Sequence, residues 1–97
     1  MLRIRPLHEN DKPAVLAICD LQLGKNYVTD VELSSYSVLV AESELGVCVG
    51  VCLYCLEGDK NAGCVKTVAV LPEYCGMGVG TKLVAHAVDS LRSCGVA

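Results

Sequence analysis

The spacing of apolar residues switches between two and three-to-four along the chain, and each switch marks an element. Leu2-Arg-Ile-Arg5 alternates apolar and charged side chains, which predicts a half-buried first strand. Val15, Leu16, Cys19 and Leu23 then recur at helical spacing, with Asn10 placed to cap the helix, Asp11 in its first turn, Pro13 near its start and Gly24 at its end. Thr29 is placed to cap a second, short helix through Leu33. Ser37 to Glu42 reads as a strand, Ser43-Glu-Leu-Gly46 as a turn, and Val47 to Leu56 as the returning arm of an antiparallel hairpin. Gly58 to Gly63 is the next turn, and Cys64 to Val70 the fourth strand. A last helix is predicted from Met77 to Ser93, where Val79, Leu83, Val84, Ala87, Val88 and Leu91 form one apolar face that packs on the sheet. Lys82, His86 and Asp89 share the opposite face, and His86 reads there as a solvated residue rather than a catalyst.

The resulting order is strand, helix, short helix, three strands, helix. It predicts an α/β (α+β) fold containing an antiparallel hairpin. Ninety-seven residues make one domain, 1–97, which buries only about 60–65% of its unfolded surface. Phe and Trp are absent, so the core must be built from Val, Leu, Ala, Ile and Cys.

Charge and cysteine usage exclude several classes. No apolar run approaches the roughly 18 residues that cross a bilayer, and Met-Leu-Arg-Ile-Arg-Pro6 has no signal-peptide core, so a soluble, cytoplasmic protein without membrane contact is expected. A net charge of −3 with eight scattered Lys and Arg argues against a nucleic-acid partner. Seven cysteines, an odd number set mostly within hydrophobic runs, point to buried thiols in a reduced compartment. Cys48-x-x-x-Cys52-x-x-Cys55 has the spacing of the radical-SAM iron–sulfur loop. On a strand, however, Cys48 and Cys52 share one face and Cys55 takes the other, so the three thiols do not converge and no metal is expected.

Candidate chemistry concentrates in Val68-Ala-Val-Leu-Pro-Glu-Tyr-Cys-Gly-Met-Gly-Val-Gly-Thr-Lys-Leu83, which leads from a strand through three glycines into a helix. Gly76, Gly78 and Gly80 let the backbone approach a ligand, and the N–H groups of a helix start attract anionic oxygen. A dinucleotide cradle needs G-x-x-G after its first G-x, and here the third glycine comes one place early with no second strand after it. The order G-x-x-x-x-G-K-[ST] of a P-loop is also missing.

What remains resembles the GNAT family of N-acetyltransferases, whose strand ends in V-x-V-x-P and is followed by [QR]-x-x-G-x-[GA]: Val68, Val70, Pro72, Gly78 and Gly80 fall in that register. The resemblance implies a mixed, mostly antiparallel sheet flanked by helices. It also implies an acetyl-CoA-dependent N-acetyltransferase acting on a small-molecule or peptide amine, with Val68, Ala69, Val70, Gly76, Met77, Gly78, Val79, Gly80 and Thr81 binding the cofactor chiefly by main chain. Cys75 stands where the family has Gln or Arg, and Met77 where a basic residue is common. The family's carboxylate base on this strand aligns with Cys64, and its acid, a Tyr of the back half, has no counterpart among Tyr27, Tyr36, Tyr54 and Tyr74, so the catalytic residues are unassigned. Glu57 and Asp59 lie in reach of the acceptor side. The family also continues with a further strand, helix and hairpin, so a chain ending at Ala97 reads as truncated after the third helix, with a bare edge at Cys64–Val70 that favours a homodimer or other self-association. The alternative function is a catalytically silent CoA-binding or interaction module of the same fold.

Overall fold

The computed structural model describes residues 2–56 and 63–93. Glu57, Asp59 and most of the expected turn from Gly58 to Gly63 lie outside them. Strands β1 (Arg3–Pro6), β2 (Ser37–Glu42), β3 (Cys48–Leu56) and β4 (Gly63–Val70) form one sheet in that order, every pair antiparallel. Helices α1 (Lys12–Leu23) and α2 (Asp30–Ser35) are followed, after β4, by α3 (Val79–Ser93). No helix among the described residues is long and apolar enough to cross a membrane.

Both faces of the sheet are covered, which explains the continuous apolar run Val38-Leu-Val-Ala41. Val38 and Val40 join Val15, Ile18, Cys19 and Leu33 in a core on the α1 side, whereas Leu39 and Ala41 join Val79, Leu83 and Ala87 in a second core on the α3 side. Complete burial of a residue such as Leu53 or Leu83 contributes about 1.5–3 kcal/mol each. The stripe predicted for α3 is observed, with Val79, Leu83, Ala87 and Leu91 buried.

Three local expectations differ from the structure. Asn10 does not cap α1: it lies within a 3₁₀ turn, Glu9–Asp11, and the helix follows at Lys12 with no side-chain cap. The Asp11 carboxylate instead accepts the His8 N–H at 2.7 Å. Helix α3 begins at Val79 rather than Met77, because Gly76 and Gly78 adopt φ of 83° and 77°, in the left-handed region where a right-handed helix cannot run. Finally, Cys48 and Cys52 do not share a face. Glu42 pairs with Cys48 but Ala41 with Gly50, so Val49 is an extra residue in β3. That bulge reverses the alternation and puts Cys48 in the α1 core and Cys52 in the α3 core. Among the described residues no His, Cys, Asp and Glu gather as a metal site.

Candidate functional site at the β4–α3 turn

Strand β4 enters the site along an open edge. Beyond its last ladder pair, the Leu71 N–H still donates to the Val49 carbonyl at 2.9 Å. In an antiparallel ladder alternate residues bond to the same neighbour, so Ala69 faces β3 and the N–H and C=O groups of Val68 and Val70 point the other way. Among the described residues no strand pairs on that side. Both valine side chains lie in the α3 core, and Gly80 packs over them: a Cβ there would stand 3.7 Å from Val68 Cγ1 and 3.9 Å from Val70 Cγ2.

Pro72 opens a single turn, Pro72–Tyr74, and its fixed φ suits that first position. The Tyr74, Cys75 and Met77 N–H groups are used within the turn, donating to Leu71, Pro72 and Tyr74 carbonyls at 2.9, 3.2 and 3.4 Å. The exposed Cys75 thiol donates to the Val70 carbonyl at 3.7 Å. The first bond from the helix onset runs from Lys82 N–H to Gly78 O at 3.0 Å. The N–H groups of Val79, Gly80 and Thr81 precede it and have no acceptor within the helix. They carry the positive end of the α3 dipole.

These groups border a cleft of about 330 Å³ lined by Val70, Tyr74, Cys75, Gly76, Gly78, Val79, Gly80 and Thr81. Nothing lies within 4 Å of where a Cβ on Gly76 or Gly78 would sit, so the space in front of the turn is open. Uncharged walls and outward N–H groups fit a diphosphate bound by main chain.

Six of the nine predicted binding residues thus meet in one cleft, and the other three take different places. Val68 presents backbone on the open edge. Ala69 is buried in the α1 core. Met77 is exposed and lines an adjoining groove of about 450 Å³ with Leu2, Ser43, Glu44, Leu45, Tyr74 and Lys82. Tyr74 and Cys75 also line the cleft, although neither was among the expected cofactor-binding residues. Gly80 also differs from expectation: its φ is not positive, and its lack of a side chain sits against β4 rather than toward the cleft.

A second cluster, unread in the sequence, lies on the α1 and α2 side of β4. Lys66 Nζ stands 3.4 Å from Glu32 Oε2 and 5.4 Å from the centre of the Tyr36 ring. Tyr36, and after it Glu32, hold the Lys66 ammonium above the ordinary lysine range. Glu32 is fixed by a reciprocal cap, its Oε1 accepting the Thr29 N–H at 3.3 Å while Thr29 Oγ1 accepts the Glu32 N–H at 3.3 Å. The spacing Thr29-x-x-Glu32 was the one available signal for this anchor.

Comparison with known proteins agrees with this architecture. The model of the acetyltransferase (GNAT) family matches residues 1–97. The IAA acetyltransferase from Bacillus cereus is 22% identical with a TM-score of 0.80, and the match covers 100% of this chain and 62% of that one. The N-acetylglutamate synthase from Neisseria gonorrhoeae, solved with coenzyme A and N-acetyl-glutamate, is 22% identical with a TM-score of 0.82, over 100% of this chain and 24% of that one. A GNAT family acetyltransferase from Brucella melitensis in complex with acetyl-CoA is 22% identical with a TM-score of 0.79, over 99% of this chain and 71% of that one. The chain therefore spans less than two thirds of the first two structures. No match is found among the curated proteins.

Proposed function

The chain belongs to the GNAT acetyltransferase family, and we propose that it binds acetyl-CoA at the β4–α3 turn and transfers the acetyl group to an amine. The observation that carries the reading is the left-handed pair Gly76 and Gly78 ahead of Val79, Gly80 and Thr81, three residues whose N–H groups have no acceptor in the helix and which line one cleft together with Val70 of the open β4 edge.

Each part of the site has one task in this reading. The N–H groups of Val79, Gly80 and Thr81, with the α3 dipole behind them, hold diphosphate oxygens. The outward N–H and C=O groups of Val68 and Val70 receive the amides of the pantetheine arm as an added strand would. The bound group supplies a thioester whose carbonyl carbon is open to attack by an amine. An outward N–H on β4 is placed to stabilise the negative charge that grows on the carbonyl oxygen, and being fixed in the sheet it needs no reorganisation. An alkyl amine of pKa about 10.4 must shed its proton before attack. The aligned family position holds Cys64, which is no carboxylate base.

Calorimetry with CoA tests the site. Gly78→Glu is expected to abolish binding by filling the open space in front of the turn with a like-charged side chain, while far-UV circular dichroism keeps its helical signal; unchanged affinity overturns the assignment. A second reading, a silent CoA-binding module, is favoured by Cys75, which stands in the cleft where the family has Gln or Arg and leaves the lining without a charged side chain. Release of free thiol from acetyl-CoA in the presence of amines separates enzyme from module. The open edge of β4 is also a template for pairing with a second copy of the chain, and sedimentation showing a monomer at high concentration would count against that association.

A further inference from the structure

On the α1 and α2 side of the sheet, β4 holds an ammonium group that is already bound, its own. Lys66 reaches it through a second bulge: Leu53 pairs with Thr67 and Tyr54 with Val65, which leaves Lys66 without a partner on β3. Its Nζ rests between a carboxylate oxygen of Glu32, at 3.4 Å, and the ring of Tyr36, at 5.4 Å. A carboxylate and an aromatic face together are the chemistry by which proteins recognise alkylammonium ions. The two neighbouring residues add a second observation. Thr67 is only 6% exposed and its hydroxyl has no hydrogen-bond partner. Two residues along, Ala69 belongs to the α1 core, so strand alternation turns Thr67 toward that same side. Val68 then follows with its N–H on the open edge. Within three residues β4 carries an ammonium paired with a carboxylate and a ring, an unpartnered buried hydroxyl, and an edge amide of the kind invoked above for the acetyl oxygen.

Resting on the acetyl-transfer reading, we propose that Glu32 and Tyr36 form a specificity subsite for the second, non-reacting ammonium of a diamine acceptor, and that Lys66 occupies this subsite until the acceptor displaces it. The caged nitrogen is not the reacting one, because a carboxylate and a ring face stabilise the charged form and attack requires a neutral amine. Lys66, held in its charged form in the same way, is likewise no acceptor of an acetyl group. In the reaction the free amine nitrogen bonds to the acyl carbon, the carbon–sulfur bond breaks, and the proton shed by the amine leaves with the sulfur as thiol. The distal ammonium stays charged in the cage throughout and fixes the length of the acceptor. An unpaired buried hydroxyl is destabilising, and a polar acceptor entering beside Thr67 offsets that cost.

Calorimetry on the 97-residue chain saturated with CoA, titrated with 1,5-diaminopentane and with pentylamine, tests the subsite. The diamine is expected to bind more tightly than the monoamine. Lys66→Met empties the cage and should tighten the diamine about fivefold. Glu32→Gln keeps an acceptor for the Thr29 N–H, so α2 stays capped, yet it should weaken the diamine about fivefold with CoA affinity unaltered. Tyr36→Phe should retain the preference and Tyr36→Leu should reduce it. Equal binding of the two amines by a chain that binds CoA, or a diamine affinity that Lys66→Met leaves unchanged or lowers, overturns the proposal. Failure to bind CoA strikes the acetyl-transfer reading instead, and the diamine preference measured without CoA then judges the cage alone.

Discussion

The Arg5 guanidinium grips the Asp11 carboxylate with two parallel bonds, Nη1 to Oδ2 at 2.7 Å and Nη2 to Oδ1 at 2.9 Å. From the same group Nε and Nη2 reach Glu42 Oε2 at 3.2 and 3.0 Å, so one side chain ties β1 to β2 and to the turn that leads into α1. Both side chains of the Arg5–Asp11 pair are largely buried, at 14% and 13% exposed. The Arg5 hydrogen bonds hold the Asp11 carboxyl below the usual carboxylate range.

Loss of that charge should be felt as stability and should depend on pH. Asp11→Asn keeps an oxygen for the His8 N–H but discards the charge that Arg5 faces, at a cost of about 1.5–3 kcal/mol near neutral pH. Because the folded carboxyl titrates below its unfolded value of about 3.9, its contribution is fully present above that value and fades as pH falls through the lowered one. Urea melts of both proteins should therefore differ at pH 7 and converge toward pH 2. A gap of constant size across that window would refute the linkage.

Helix α3 is seated on β3 through a missing side chain. A Cβ on Gly50 would meet Leu83 Cδ1 and Val79 Cγ1 at 3.2 Å each, tighter than ordinary contact. Gly50→Ala should cost about 1–3 kcal/mol by overpacking, and Leu83→Ala about 2–5 kcal/mol by leaving a cavity. In the double variant the new methyl enters that cavity, so the measured loss should fall short of the sum by more than 0.5 kcal/mol. Additive denaturation energies would show that the two positions do not share space.

Gly78 and Gly80 should respond oppositely to alanine. Gly78 sits at φ 77°, where a Cβ is strained by about 1–2 kcal/mol, whereas a Cβ on Gly80 meets Val68 and Val70 only at ordinary contact distances. Gly80→Ala within α3 should gain up to about 1 kcal/mol from lower unfolded-state entropy, and Gly78→Ala should lower the melting temperature. Equal effects in thermal melts would remove the distinction between a turn glycine and a packing glycine.

Alkylation should report the burial of the thiols. Cys75 is exposed, while Cys19, Cys48 and Cys52 are buried. Burial pushes Cys19 and Cys52 up to about 11 and raises Cys48 as well, and the thiolate is the reactive form. Iodoacetamide at pH 8 should label Cys75 well before these three, as read by peptide mass mapping. Labelling of Cys19 at a comparable rate in the folded chain would contradict the α1 core.

Periodicity alone was enough for most elements, because burial of a strand or helix face is imprinted on neighbouring residues. The Ser37–Glu42 strand, the Ser43–Gly46 turn, the stripe Val79, Leu83, Ala87 and Leu91, and the glycine turn after Pro72 were all legible. Both bulges were not. An extra Val49 or Lys66 is defined only by what lies opposite on the paired strand, and no local spacing carries that information. The Asn10 cap failed for a related reason: Arg5, five residues earlier and on another element, recruits Asp11 and places the helix start after it.

By itself the sequence determined the order of elements and the register of Val68, Val70, Pro72, Gly78 and Gly80, since each depends on residues a few positions apart. Only the tertiary structure decided which backbone groups of β4 point to an open edge, that Gly80 packs rather than turns, that Cys48 and Cys52 part company, and that Lys66 is held by Glu32 and Tyr36. Those are relations between segments distant in the chain. They exist only once the strands have chosen their pairing, and a single inserted residue in that pairing moves a side chain from one face of the sheet to the other.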